Sequence, residues 1–437
     1  MQFLSTHNPN LRADLRAAVL NGLAPDGGLF LPVEMPCLSA DSIARIPKLS
    51  FQELSLVLAK HFFTDSLDDT TLSSIVGQSL TFDAPLSALS NSPDTAILEL
   101  FHGPTLSFKD FGARFMACLM SYFVRQTDEK ITVLVATSGD TGSAVASGFF
   151  AVPGIRVCIL YPSGKVSDIQ EKQLTTYGEN ITALEVDGVF DDCQRLVKQA
   201  FQDKELRSRR SLGSANSINI ARLIPQTFYY AWAYAHSTRM NEKKLPLVCC
   251  VPSGNFGNLT AGLLAKRIGI PIARFIAATN INDPVPEYLR TGIFRPRPSR
   301  HTISNAMDVG DPSNFARMLE LYKNDAHAMR RDIWGSSFTD EQTYTMMKQT
   351  YDFSGYILDP HGAVALLGIE AYRSQHTDPV YSIALETAHP AKFSASVEHT
   401  IGIPPALPDR LAKTLMKQKK SIRISNRFED LKEYLLK

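Results

Sequence analysis

From about residue 93 onward, short β-branched runs alternate with segments long enough to form helices. The runs fall at 96–101, 131–136, 156–161, 181–186, 247–251, 274–278 and 380–385. This alternation confines the chain to βαβ units and a mostly parallel sheet, because parallel neighbours need a crossover and a helix is the usual one. One crossover can be checked by counting. Cys193, Leu196, Val197, Ala200 and Phe201 recur at the spacing of an apolar stripe on a helix that covers one face of a sheet. Residues 1–92 read differently, as a mainly helical leader. Its Pro-Asp-Gly-Gly turn at 25–28 feeds an extended piece. The expected organisation is an N-terminal domain over 1–92 and an α/β region over 93–437.

Charge excludes some partners. With 45 basic against 44 acidic residues and a net charge of +1, bulk attraction to nucleic acid or an anionic membrane is not expected. Any anionic ligand has to be recognised by a local site. The cysteines at 37, 118, 158, 193, 249 and 250 lack the paired spacing of zinc or redox motifs, and several lie in apolar runs, as reduced core thiols do. The first residues lack a secretory signal, and no apolar run reaches the ~18 residues of a membrane span. A soluble cytoplasmic protein is expected. The basic run Lys417-Gln-Lys-Lys reads as a solvated helix face.

Three strand-to-helix turns carry the chemistry, and in an open α/β sheet such turns gather at the carboxyl edge, where ligands bind. In Val-Pro-Ser-Gly-Asn-Phe-Gly-Asn-Leu-Thr, 251–260, glycines and a helix N-terminus suit an anion such as phosphate. Neither a Walker string nor a Gly-x-Gly-x-x-Gly string occurs, which disfavours ATP and NAD. In Phe-His-Gly-Pro-Thr-Leu-Ser-Phe-Lys-Asp-Phe-Gly, 101–112, Lys109 lies between Phe108 and Phe111 at the start of a helix running to about Arg125. The helix dipole and the aromatic walls both favour the free amine, which can form an imine with an aldehyde. Alone, a lysine so placed more commonly lays its stem along the rings with its head in water. Asp110 reads as a helix-terminal stabiliser.

The third turn, Ala-Thr-Ser-Gly-Asp-Thr-Gly-Ser-Ala at 136–144, offers hydroxyls and backbone donors to a carboxylate or phosphate. Ser214-Ala-Asn-Ser-Ile-Asn with Arg222 adds a guanidinium suited to phosphate. A reactive lysine, a phosphate cradle and two further anion sites together meet the specification of pyridoxal phosphate and a dianionic amino-acid substrate.

At these residues the chain resembles the threonine synthase family, within fold type II of the pyridoxal-phosphate enzymes. The strings at 26–30, 99–111, 136–142, 214–219, 251–257, 305–309 and 387–393 carry the resemblance over nearly the whole length. It implies parallel sheets flanked by helices in a large and a small subdomain, the smaller at about 113–215, behind the helical N-terminal domain. It implies that Lys109 bears the cofactor, that Gly254, Asn255, Phe256 and Asn258 hold its phosphate, and that the Thr387 hydroxyl meets the pyridine nitrogen. Ser138 and Thr141 match positions that hold the substrate carboxylate, and Asn216, Ser217 and Arg222 positions that hold the substrate phosphate. The substrate so implied is O-phospho-L-homoserine, the product L-threonine, and the enzyme a monomer. Asp140 stands where the wider fold type often has Asn. A carboxylate only accepts hydrogen bonds, so its role beside the cofactor stays open. Three rivals also stay open at this point: a phospho-lyase releasing 2-oxobutyrate, a non-catalytic relative, and a serine or threonine dehydratase. The apparent phosphate cluster at 216–222 counts against the dehydratase.

Overall fold

The computed structural model describes residues 1–90, 92–127 and 129–437. The alternation seen in the sequence resolves into two sheets. One has six strands in the order Ile333–Ser337, Arg274–Thr279, Leu247–Pro252, Tyr381–Glu386, Ser92–Glu99 and Leu86–Leu89. All neighbours are parallel except the last pair. The other has five parallel strands in the order Ile422–Ser425, Ile181–Asp187, Ile155–Pro162, Ile131–Ala136 and Ser211–Ser214.

Both sheets are covered on both faces, which is why their inner strands read as continuous apolar runs. Along Leu247–Pro252, Cys249 and Val251 join one core while Val248 and Cys250 join another. Along Ile131–Ala136, Val133 and Val135 face the main core, and Leu134 and Ala136 face a separate one. This is the period of two that a pleated strand imposes. The stripe at 193–200 is buried as its spacing requires, on the helix Phe190–Gln202. It shares its core with Leu431 and Leu435 of the C-terminal helix Phe428–Leu436.

The leader carries helices at Leu15–Asn21, Ala40–Arg45, Phe51–Phe63 and Asp69–Ser79, and also a three-stranded antiparallel sheet. The 25–28 turn leads into its strand Phe30–Pro32. Two expectations need correction. Lys417-Gln-Lys-Lys is not a helix face, because the helix Asp409–Leu415 ends before it. The run is a connector, in which Lys419 bridges Glu171 and Glu185 at 2.7 Å each and so ties the C-terminal segment to the five-stranded sheet. That sheet also takes the strand Ile422–Ser425 from the chain's end, so it draws on more than the stretch at about 113–215.

The leader is joined to the α/β region through Arg317, a fully buried guanidinium. It donates to the carbonyls of Phe30, Ser217 and Ile218 and to Asn314 Oδ1. Burial pulls its pKa down to about 9, and two of the carbonyls that hold it, those of Ser217 and Ile218, belong to the Ser217 turn. Arg317→Met would remove the donor that Phe30 O, Ile218 O and Asn314 Oδ1 share and leave Ser217 O only its 3.3 Å bond from Asn314 Nδ2. We expect a loss of about 3 kcal/mol, read as a lowered urea midpoint, together with weakened ligand binding at the Ser217 turn.

Candidate active site

Three neighbouring parallel strands deliver most of the site. Leu247–Pro252, Tyr381–Glu386 and Ser92–Glu99 lie side by side, and their carboxyl ends lead to the 253–258 turn, to Thr387 and to Lys109. The end of Ile131–Ala136, from the other sheet, brings Ser138, Asp140 and Thr141 to the same cavity of about 330 Å³. Asn216, Ser217 and Arg222 line it as well.

Lys109 is the first residue of the helix Lys109–Arg125. Its turn is locked to Thr387 by Phe108 N–H donating to Thr387 O at 2.9 Å and His389 N–H donating to Leu106 O at 3.0 Å. Leu106 takes a left-handed φ of 62°, which costs a non-glycine residue about 1 kcal/mol or more. Asp110, fully buried, accepts from Thr105 N–H and Oγ1 at 2.8 and 2.7 Å and fastens the two sides of that turn. Burial raises its pKa. Only one of the two expected aromatic walls is present. The Phe108 ring lies 4.9 Å from Lys109 Nζ, whereas Phe111 packs away against Phe51, Phe82 and Tyr229.

The Lys109 side chain is 14 % exposed. Burial pulls its pKa down to about 8, opposed by the nearby Asp140 and reinforced by Lys392 and Arg222. Asp140 Oδ2 stands 3.9 Å from Lys109 Nζ. Its Oδ1 accepts from Lys392 Nζ at 2.7 Å and Gln170 Nε2 at 3.0 Å. Burial alone would raise the Asp140 pKa, but the Lys392 and Lys109 ammonium groups hold it well below the usual carboxylate range.

The 253–258 turn is shaped for an anion. Phe256 takes a left-handed φ of 58° ahead of the helix Gly257–Arg267, whose first amides are free of intrahelical partners. A Cβ on Gly254 would come within 2.6 Å of Ala306 O and 2.8 Å of Met307 Cα. Asn258 Oδ1 accepts from the hydroxyls of Tyr229 and Tyr230 at 2.6 and 2.7 Å. That leaves Asn258 Nδ2 buried without a partner, a donor awaiting an acceptor. A phosphate fits this turn.

A second anion seat lies on the other loop. Arg222 is buried, gives Nη1 to Ala215 O at 2.7 Å and has an unpartnered Nε. Burial lowers its pKa to about 10, so it stays charged. The Ser217 hydroxyl receives Asn255 Nδ2 at 2.6 Å, and Asn255 Oδ1 accepts from Ser313 N–H at 2.6 Å, which links the two seats. Asn216 is largely committed to the backbone, with Nδ2 donating to Ala136 O at 2.9 Å and Oδ1 accepting from Ala136 N–H at 3.2 Å.

Sequence reasoning passed over Lys392, Gln170 and His361. His361 lines the cavity, with Nδ1 at 3.0 Å from Asp359 and Nε2 accepting from Ala306 N–H. Lys392 carried a signal, a charged residue inside the short motif Pro-Ala-Lys-Phe at 390–393. Gln170 carried none.

Comparison with known proteins gives a consistent answer. Residues 84–384 match a model described as pyridoxal-phosphate dependent enzyme, residues 2–80 the threonine synthase N terminus, and residues 362–435 the threonine synthase C-terminal region. A threonine synthase of Escherichia coli is 44% identical over 417 residues, covering 94% of each chain. A crystal structure of threonine synthase from Escherichia coli superposes with a TM-score of 0.92 at 41% identity, covering 100% of this chain and 99% of that one. A PLP-bound threonine synthase from Brucella melitensis gives 0.91 at 33% identity, covering 100% and 99%.

The site's electrostatics predict a measurable amine. Competitive acylation of the cofactor-free chain across pH should show Lys109 gaining reactivity with a midpoint of about 8. Burial disfavours the ammonium, so the free amine dominates above that pH. A midpoint near that of ordinary lysines, about 10.4, would contradict this electrostatic picture.

Proposed function

The chain belongs to the threonine synthase family of pyridoxal-phosphate enzymes, and from that membership we propose that Lys109 carries the cofactor and Arg222 anchors the phosphate that leaves. The enzyme is a pyridoxal-phosphate-dependent lyase that acts on a small-molecule substrate. It converts O-phospho-L-homoserine and water to L-threonine and phosphate by γ-elimination and β-addition of water, the last step of threonine biosynthesis.

When bound, the cofactor supplies an aldehyde for an amine and a ring that stores electrons as protons leave carbon. The chain's residues do the rest. The turn from Gly254 through Asn258 holds the cofactor phosphate, with Asn258 Nδ2 and the first amides of the following helix as donors. The Thr387 hydroxyl, on the turn locked to Lys109, would be the neutral partner of the ring nitrogen. Ser138 and Thr141 hold the substrate carboxylate. Arg222 and Ser217 hold the substrate phosphate, with Asn216 bracing that loop. Lys109 Nζ, unprotonated in a useful fraction near neutrality, is the group placed to move protons at the substrate carbons.

One observation carries this division of roles. Two anion seats, each with a buried unpartnered donor, open into one cavity with Lys109. A cofactor phosphate needs one seat, and a phosphorylated substrate needs the other. Val189 and Phe190 line the same cavity from the side of the five-stranded sheet, where closure would shield the reacting carbons from water until elimination is complete. We take 1–92 as the N-terminal domain and 93–437 as the catalytic region, with the smaller subdomain built around the five-stranded sheet. Among the described residues no helix is long and apolar enough to cross a membrane. A cytoplasmic monomer is part of the same proposal.

Borohydride reduction and peptide mapping should place the pyridoxyl group on Lys109, and an adduct on another lysine would overturn the assignment. Gly254→Ala should weaken cofactor binding about tenfold or more, read by fluorescence titration. Arg222→Met should lower kcat/KM for O-phosphohomoserine about a hundredfold, the scale of a lost charge-assisted pair. Spectral titration of the same variant with L-threonine, which lacks phosphate, should change little.

A further inference from the structure

The site holds a second buried ammonium that the roles above do not use. The Lys392 side chain is 0% exposed and is absent from the cavity lining, so a ligand in the cavity meets Lys109 and not Lys392. It stands on the 3-10 turn Pro390–Phe393, which follows Thr387 off the six-stranded sheet. From there it reaches Asp140, which opens the helix Asp140–Phe149 on the five-stranded sheet. Its Nζ donates to Asp140 Oδ1 at 2.7 Å and to Thr105 O at 2.9 Å. Lys109 Nζ is 3.9 Å from the other oxygen of the same carboxylate. Two ammonium groups thus share one buried carboxylate, and the non-reactive one holds the shorter contact.

A buried charge has to be paired. Without Lys392, the Asp140 carboxylate would have Lys109 as its adjacent cation and would bind the reactive nitrogen in its protonated, unreactive form. With Lys392 present, Lys109 can lose its proton without leaving Asp140 uncompensated. We propose that Lys392 is a positioning residue that takes up the charge of Asp140 and so releases the Lys109 amine for reaction. The other charged groups that bear on the trio are Arg222 and Asp359 at Lys109 and Asp110 at Lys392.

The proposal rests on Lys109 being the reactive lysine, a reading that borohydride mapping tests separately. The acylation midpoint of Lys109 can be read without cofactor, so the two failures are distinguishable. In the full-length cofactor-free chain, K392M should raise that midpoint by about one pH unit, the effect expected of an opposite charge left close by. At pH 7 this means about tenfold less free amine. K392R, which keeps the charge, should match the parent chain, and D140N/K392M should return the midpoint toward it. If K392M alone does not fold, K392Q, which keeps a buried polar donor beside Asp140 Oδ1 and Thr105 O without the charge, reads the same loss, and its midpoint should likewise rise. In the holoenzyme, K392M should depress kcat at low pH and recover it as pH rises, with KM little changed. A midpoint unmoved by removal of the Lys392 charge, or a kcat loss equal at every pH, overturns the proposal and leaves Lys392 a structural counter-ion.

Discussion

Asp140 lies where water barely reaches it, so protein groups have to meet its charge, and the way they meet it organises the site. Lys392 comes from the turn after one sheet's central strand, Gln170 from a helix on the other sheet, and Lys109 from the helix that follows a third strand. An ionised carboxylate in low dielectric binds such partners strongly. The trio therefore links turns and helices of the two sheets across the site. It also sets the state of the reactive lysine, whose amine is moderated by burial on one side and by a carboxylate on the other.

The rest of the site follows from strand adjacency. Leu247–Pro252, Tyr381–Glu386 and Ser92–Glu99 are parallel neighbours, so the turns at their carboxyl ends fall within reach of one another. The reactive lysine, the Thr387 hydroxyl and the phosphate turn need no long loops to meet. Non-glycine residues of left-handed φ occur in turns elsewhere too, and two of them, Leu106 and Phe256, stand at this edge. Both are held there by a neighbouring bond or helix start, as expected where backbone geometry serves binding. The leader enters the same scheme through Arg317, which grips the loop that carries Ser217.

The inner strands were legible because strands covered on both faces are unbroken apolar runs, and several matched to within a residue or two. In the two α/β sheets, those missed are short strands at the edges. Ser211–Ser214 reads Ser-Leu-Gly-Ser, and Ile422–Ser425 reads Ile-Arg-Ile-Ser. One side of each lacks a neighbour, so no apolar run marks them, and it is pairing that makes them strands. The three turns were legible through their glycines and hydroxyls. The orientation of Phe111 was not, since it depends on which rings the leader presents.

Sequence by itself determined the local chemistry: a lysine heading a helix, a glycine turn before another, an arginine behind an amide-rich loop, and a hydroxyl at a strand end. Those features depend on residues adjacent in the chain, and backbone sterics and helix ends act over that range. Only tertiary structure decided which of them share charge. Asp140 and Lys392 lie far apart in sequence, and neither signals the other by spacing. Their pairing exists because folding removed both from water and left each as the other's nearest compensation. The same burial explains why Asp140, open to several readings as a residue in a motif, has one set of partners in the folded chain.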